Sequence, residues 1–277
     1  VCLSGDGGDE LFTGYNRYAV TQKYWKFIKT LPYFLRILIS KILLGTSPQS
    51  WNNILKTFEF LLSKNNQFIH YGDKIHKGAE CLKSKNIDNL YFTLISDLKH
   101  NYSDCLLNYP SKHMIMPEFK YDNINSVEYF MRNDFINYLP NDILTKVDRA
   151  SMKNSLESRM PFLNKNLIQN VWRTPHSLKI KNNQSKYILK KILNKYLPKD
   201  IIENKKKGFS IPLAEWLRGD LKSWAQDYTS KSSIEKYGIF NYKKTKTLWD
   251  DHISMKQNNH SQLWNILIMQ SWLEKNI

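Results

Sequence analysis

The sequence predicts an α/β chain in which helix far outweighs strand, and three observations carry that prediction. One short apolar segment, Val1-Cys2-Leu3, reads as a buried strand; it runs directly into the turn Ser4-Gly5-Asp6-Gly7-Gly8-Asp9-Glu10; and from Leu11 onward apolar residues recur at helical spacing nearly to the end. A lone strand is not stable. The expectation is therefore that most of a parallel sheet lies upstream of Val1 and that residues 1–277 are the C-terminal portion of an N-terminally truncated domain.

The elements follow in order. Leu11, Phe12, Tyr15, Tyr18 and Ala19 predict one helix entered straight from the glycine-rich turn. Strand, tight loop and helix start is the arrangement that presents backbone N–H groups to an anion. Further helical stretches are expected at 24–44, 52–63, 88–107, 127–138, 141–157, 164–173, 185–196, 213–228, 244–256 and 261–275, punctuated by Pro110, Pro117, Pro140, Pro161, Pro175, Pro198 and Pro212. The polar stretch 64–89, with Lys64-Asn65-Asn66 and Lys83-Ser84-Lys85-Asn86, reads as a surface loop region. No internal repeat, heptad run or domain boundary stands out.

Composition narrows the function. The chain has 277 residues with 41 Lys plus Arg against 25 Asp plus Glu, a formal net charge of +16. Only seven of the 41 basic residues are Arg, and Lys is scattered through nearly every segment. A nucleic-acid binder clusters Arg for bidentate phosphate and guanine contacts, so no nucleic-acid partner is expected and the charge follows composition. Cys2, Cys81 and Cys105 are odd in number and far apart, without a CxxC pair, which points to a reducing compartment. The longest apolar stretch, Leu31 to Leu44, is interrupted by Pro32, Arg36 and Lys41 and falls short of the ~20 residues a bilayer span needs. A cytoplasmic protein with no membrane partner is the expectation.

Chemistry concentrates in Ser4-Gly5-Asp6-Gly7-Gly8-Asp9-Glu10. Glycines at 5, 7 and 8 remove Cβ bulk and let backbone approach a ligand. Three carboxylates on one turn repel a phosphate by themselves, but make sense if Mg²⁺ bridges them to a polyphosphate. Capping of the helix by Asp9, with Glu10 complementing its dipole, accounts for neither Asp6 nor the glycines.

SGDGGDELFTGYNRY resembles the S-G-[DE]-G-x-D-E-[LV]-F-G-G-Y pattern of the synthetase domain of the asparagine synthetases, in the ATP-pyrophosphatase (PP-loop) amidotransferase family. Tyr138-Leu139-Pro140-Asn141-Asp142-Ile143-Leu144, Lys146-Val147-Asp148-Arg149-Ala150-Ser151-Met152 and Ser155-Leu156-Glu157-Ser158-Arg159-Met160-Pro161-Phe162-Leu163 are similar to the family's YLPxDxLxKxDRxSMxxSLExRxPFLD. Lys186-Tyr187-Ile188-Leu189-Lys190-Lys191, Leu197-Pro198, and Lys207-Gly208-Phe209-Ser210-Ile211-Pro212 through Trp216-Leu217 resemble its KxxLR, LP and KxGFxxPxxxWL blocks. The likeness covers residues 1–219 in order; residues 220–277 match only in being helical and aromatic.

The resemblance implies an α/β fold of PP-loop type and a two-step reaction. The side-chain carboxylate of aspartate attacks the α-phosphorus of Mg-ATP to give a β-aspartyl adenylate and pyrophosphate, and ammonia released from glutamine by a separate domain displaces AMP to give asparagine. Aspartate and ATP are the implied substrates, ATP and Mg²⁺ the implied cofactors, and a homodimer one compatible assembly. Asp6, Asp9 and Lys186 are the implied catalytic residues: Asp6 beside the amino-acid substrate, Asp9 on Mg²⁺ with Glu10 as helper ligand, Lys186 on the phosphates. Ser4, Gly5, Gly7, Gly8 and Glu10 would line the ATP and pyrophosphate site. Asp148, Arg149 and Arg159 are candidate positioning residues, set against a solvated helix face for the first two and an ion pair for the third. Lys207-Gly208-Phe209 is a basic turn that could close over nucleotide.

Three positions depart from the pattern. Thr13 stands where it has Gly, Asn164 replaces the Asp of PFLD, and Lys190 replaces an Arg. No SGGxDS loop occurs in the chain and Cys2 lies in the predicted strand, so neither the pyrophosphate loop nor a glutaminase nucleophile is in view. Little turnover is expected from the 277 residues alone. Two other readings remain: an adenylating relative that amidates another carboxylate, of β-lactam or surface-polysaccharide type, and a folded, catalytically silent basic fragment.

Overall fold

The computed structural model describes residues 1–57, 71–96, 105–107, 125–182, 184–202 and 211–277. In chain order these form β1 (Cys2–Leu3), α1 (Gly8–Leu11), α2 (Asn16–Ile28), α3 (Tyr33–Gly45), α4 (Pro48–Thr57), α5 (Tyr71–Leu82), α6 (Ile87–Ile95) and α7 (Ser126–Asn133). A π-helical segment, Asp134–Leu144, leads into α8 (Thr145–Met152), β2 (Ser158–Arg159), a 3₁₀ turn (Pro161–Leu163), α9 (Lys165–Arg173), α10 (His176–Lys179), β3 (Ile180–Lys181) and β4 (Gln184–Ser185). Last come α11 (Tyr187–Leu193), α12 (Lys199–Ile202), α13 (Leu213–Arg218), α14 (Lys222–Thr229), α15 (Lys231–Lys236), α16 (Tyr242–Ile253) and α17 (His260–Asn276). The predominance of helix agrees with the sequence. Among the described residues no helix is long and apolar enough to cross a membrane.

The chain divides into two compact units, residues 1–30 with 119–208 and residues 31–118 with 209–277. Each is assembled from two separate stretches, so no linker marks the division in sequence.

In the first unit β1 pairs in parallel with β2, Cys2 opposite Ser158 and Leu3 opposite Arg159. The Cys2 and Ser4 amides each donate to a β2-side carbonyl, Glu157 and Arg159, at 2.8 Å. The strand is present but not buried as expected: Val1 and Leu3 are 81% and 76% exposed, because among the described residues only β2 pairs with it. The single helix expected from Leu11 to Ala19 is two. Thr13 turns left-handed at φ 59°, which stops α1, and α2 starts afresh at Asn16. The helices expected at 127–138 and 141–157 are instead one run from Ser126 to Met152, with right-handed helical dihedrals through both junctions. Pro140, read as a break, is absorbed by the wider π turns, and its carbonyl accepts the Thr145 hydroxyl at 2.8 Å. Left-handed Ser155 (φ 55°) then turns the chain from α8 into β2.

Leu11, Phe12 and Val171 form this unit's apolar cluster, with Phe135, Phe162, Trp172 and Ile188 packed around them. The cluster clamps α1 between the π segment, α9 and α11, which fixes the end of the glycine-rich turn.

The second unit shows where periodicity misled. The stretch 24–44 is broken at Leu31-Pro32, and α3 starts after it. Residues 71–89, read as loop, carry α5 and the start of α6; residues 64–70 lie outside the described set. The buried residues of α5 are the small Gly72, Ala79 and Cys81, which make no apolar stripe, and α3 meets it with polar groups. Buried Arg36 of α3 donates to the Ser84 carbonyl at 2.7 Å and buried Ser40 to the Ala79 carbonyl at 2.7 Å, while Phe34, Leu38 and Ile42 face outward. Polar groups that satisfy carbonyls near the end of α5 replace the apolar stripe a pattern search needs. The stretch 213–228 is likewise two helices, α13 and α14, separated at Gly219. The core here is Leu217, Ala225, Trp249, Leu263 and Leu267, drawn from α13, α14, α16 and α17.

Candidate functional site

The glycine-rich turn leaves β1 and enters α1 as the sequence suggested, and the structure separates the roles of its glycines. Gly7 is left-handed (φ 87°), and a Cβ there would stand 2.5 Å from Leu163 Cδ2. A Cβ on Gly8 would press on the Phe162 ring. These two are glycines because the 3₁₀ turn after β2 packs against them. Gly5 is different: a Cβ there meets nothing within 4 Å, so its bareness faces open space.

The three carboxylates diverge. Asp6 is half-buried and accepts the Ser4 hydroxyl at 2.5 Å. Asp9 forms an ion pair with Lys186, Nζ to Oδ1 2.8 Å, with the side chains 22% and 30% exposed respectively. Glu10 turns inward, is 1% exposed and accepts the Tyr15 hydroxyl at 2.6 Å. Burial pushes the Glu10 carboxyl above the usual carboxylate range, with Asp9 and Asp134 adding to the rise. Burial drives the Tyr15 hydroxyl far upward, and its donation to Glu10 adds to the rise.

Lys186 reaches Asp9 because the chain before α11 returns to the loop. Its amide donates to the Phe12 carbonyl at 3.0 Å, and it sits left-handed (φ 55°) at the start of α11. Gly14 makes the approach feasible. A Cβ there would lie 1.8 Å from Asp9 Oδ1 and 2.3 Å from Lys186 Cε. Gly14 was not singled out from sequence, where it looked like part of a helix start.

Thr13 is fully buried, and its hydroxyl donates to the Phe12 carbonyl at 2.6 Å and the Lys179 carbonyl at 3.2 Å. A β-branched residue is costly at positive φ; these bonds hold it where the family pattern has Gly. Asn164, the other departure near the loop, caps α9 by accepting the Asn166 and Leu167 amides at 3.0 and 3.3 Å, as an Asp would.

The remaining candidates stand apart from the Asp9–Lys186 pair. Asp148 and Arg149 are exposed on α8, in keeping with a solvated face, though α8 leads directly into β2. Arg159, on β2 beside the loop, pairs with Glu157 at 2.6 Å and is largely exposed. Lys207-Gly208-Phe209 lies outside the described residues.

Sequence reasoning also missed the layer behind the loop. Arg17 on α2 forms an ion pair with Asp134, Nη2 to Oδ2 2.7 Å, with its Nε donating to the same oxygen at 3.0 Å. Tyr18 donates to that oxygen as well, at 2.5 Å. The Arg17 guanidinium lies 3.9 Å from the Tyr15 ring centroid and 5.0 Å from that of Tyr138. The Tyr15-Asn16-Arg17-Tyr18 run was the available signal, since polar residues between aromatics at a helix start suit a half-buried network.

A family model described as asparagine synthase matches residues 1–274. Asparagine synthetase [glutamine-hydrolyzing] 1 of Bacillus subtilis (strain 168) is 27% identical over 281 residues, covering 100% of this chain and 40% of that protein. Asparagine synthetase [glutamine-hydrolyzing] 3 of the same organism is 36% identical over 85 residues, 28% of this chain and 14% of that protein. Amidase chyE of Penicillium rubens is 28% identical over 130 residues, 44% of this chain and 19% of that protein. No solved structure matches. The chain thus spans about 40% of the length of the B. subtilis relative that it matches throughout.

Proposed function

This chain belongs to the asparagine synthase family, and from that premise we propose that it is the C-terminal part of a PP-loop synthetase domain that amidates aspartate at the expense of ATP. The supporting observation is convergence: Asp9 and Lys186, 177 positions apart in sequence, meet at 2.8 Å on a loop whose strand pairs with the segment leading to Pro161-Phe162-Leu163. Three separated motif blocks therefore build one surface.

In this reading the aspartate β-carboxylate oxygen attacks the α-phosphorus of ATP and pyrophosphate leaves. Ammonia, derived from glutamine outside these residues, then attacks the acyl carbon, AMP leaves and a proton is lost. Lys186, whose backbone amide is anchored to the Phe12 carbonyl and whose ammonium pairs with Asp9, neutralises charge on the departing pyrophosphate in this reading. Asp6, oriented by Ser4, binds the substrate ammonium or takes the proton from ammonia. Gly5 gives the nucleotide open space, with Ser4, Gly7 and Gly8 shaping the loop around it. Among the described residues no group of three carboxylates, histidines or cysteines could hold a metal alone, so Asp9, a partly exposed carboxylate paired with Lys186, would hold magnesium only together with the phosphate oxygens of bound nucleotide. Glu10, turned inward and engaged by Tyr15, supports Asp9 from behind. Magnesium bound there would offset the charge of the polyphosphate. The positioning role proposed for Asp148, Arg149 and Arg159 rests on the family pattern alone, since the first two lie on an exposed face and Arg159 pairs with Glu157.

Pyrophosphate release tests the proposal directly. The full-length polypeptide is expected to release pyrophosphate and AMP from ATP when aspartate is added and to form asparagine with glutamine. No aspartate-dependent AMP would sink it. A second reading, amidation of another carboxylate by the same loop, follows from the 27% identity to the asparagine synthetase matched along the whole chain, which leaves the acid substrate open. A panel of carboxylic acids separates the two.

A further inference from the structure

We infer that Arg17 and Asp134 form a positioning clamp that fixes Asp9 through Tyr15 and Glu10. Its consequence for turnover rests on the synthetase reading above; its structural part does not.

Each link is short. Asp134 opens the π segment with its side chain fully buried, and one of its oxygens takes two bonds from the Arg17 guanidinium and one from the Tyr18 hydroxyl, at 2.5–3.0 Å. Arg17 is held between rings: its guanidinium lies on Tyr15 at 3.9 Å and near Tyr138 at 5.0 Å, and the two rings meet edge-on at 5.9 Å. Tyr15 passes the constraint on by donating to Glu10 at 2.6 Å, and Glu10 is the neighbour of Asp9. One end of this chain of contacts is a continuous helix, α7 through α8. The other is the loop carrying the Asp9–Lys186 pair.

The geometry exceeds what stability alone requires. A buried ion pair can often be replaced by apolar side chains of similar volume without loss of stability. Here it is linked, through a ring stack and one hydroxyl, to the residue behind Asp9. Gly14 leaves room for Asp9 and Lys186 to meet, and the clamp keeps Asp9 from drifting. A displacement on the order of 1 Å at such a group costs roughly 100-fold in rate.

Two variants separate positioning from folding. Tyr15→Phe removes only the hydroxyl link to Glu10, and the double variant Arg17→Met/Asp134→Leu replaces the ion pair with apolar groups. Hydrogen exchange is read for the peptide covering residues 4–12, well below the unfolding midpoint, with Lys246→Ala on an exposed pair as control. In both test variants the loop is expected to exchange about tenfold faster while α9 keeps its protection. In the full-length protein, kcat for pyrophosphate release is expected to fall about 100-fold with KM for ATP within about threefold. Loop exchange equal to wild type in both variants overturns the clamp, and so does a loosened loop with unchanged kcat in an active protein. If wild type releases no pyrophosphate with any acid, the synthetase reading fails and loop exchange alone judges the clamp.

Discussion

The two units differ in where buried carboxylates and backbone strain collect, although both bury polar side chains, Arg36, Ser40, His252 and Gln262 among those of the second. In residues 1–30 with 119–208, buried positions include Glu10, Thr13, Asp134 and Lys179, and of the five non-glycine residues at positive φ among the described residues four fall here: Thr13, Ser155, Asn182 and Lys186. In residues 31–118 with 209–277 the main cluster is apolar, Leu217, Ala225, Trp249, Leu263 and Leu267, and Met255 alone among the described residues has that backbone strain. Strain and buried charge persist only where surrounding structure enforces them. Among the described residues, the buried carboxylates and most of the left-handed non-glycine residues thus fall in the unit that carries the glycine-rich loop.

The sharpest break of that contrast is to delete a charge on one side and an apolar group on the other. Asp134→Asn leaves the Arg17 guanidinium facing a neutral group, and should cost about 3 kcal/mol, the low end for a broken buried pair because Arg17 keeps 18% of its side chain exposed. Denaturant melting reads the loss. Leu267→Ala, at a fully buried position in the second unit, should cost about 2–5 kcal/mol through lost transfer energy and a residual cavity. An Asp134→Asn effect under ~0.5 kcal/mol would mean that the pair carries no net stability, removing one half of the comparison.

Two glycines offer a finer cut. A Cβ on Gly72 would lie 2.0 Å from the Pro48 carbonyl oxygen, a backbone atom that cannot step aside, so Gly72→Ala should destabilise by about 1–3 kcal/mol. A Cβ on Gly14 meets the Asp9 carboxylate and the end of the Lys186 side chain, groups that can swing away. Gly14→Ala should therefore lower stability by less than Gly72→Ala yet reduce pyrophosphate release in the full-length protein roughly 100-fold. The reverse ordering of stability effects would contradict the assignment of Gly14 to the site.

These positions also show what the sequence could and could not reveal. The loop, Asp9 and Lys186 were legible because glycines and carboxylates in one turn have few purely structural explanations, and because the motif blocks come in order. α9, α11, α16 and α17 were legible from apolar periodicity. Gly14 was hidden because its necessity comes from two side chains arriving from elsewhere, Lys186 across 172 residues. Arg36 and Ser40 concealed the α3–α5 packing by placing polar groups on the buried face. The pairing of β1 with β2 was unreadable because two-residue strands have no pattern. Asp134 looked like any acid in a helical stretch, and only the arrival of α2 makes it a partner for Arg17.

The smallest expected effect concerns Glu10, and it has a sign. Burial, the largest cause, raises its carboxyl pKa above its ordinary value of 4.5, so between the unfolded and folded values the native state binds more protons than the unfolded chain. Stability then falls as pH rises through that window, since its slope follows protons bound in the unfolded state minus those bound in the native. The Glu10 contribution is favourable below the window and fully lost above it. Glu10→Gln keeps an oxygen for the Tyr15 hydroxyl and removes the titration. Its melting midpoint should therefore gain on wild type as pH increases from just above 4.5, and the difference should level off once Glu10 is ionised in the native protein. Parallel pH profiles for the two proteins would show that Glu10 is not in a desolvated site. The buried network of the first unit would then begin behind Glu10, at Tyr15.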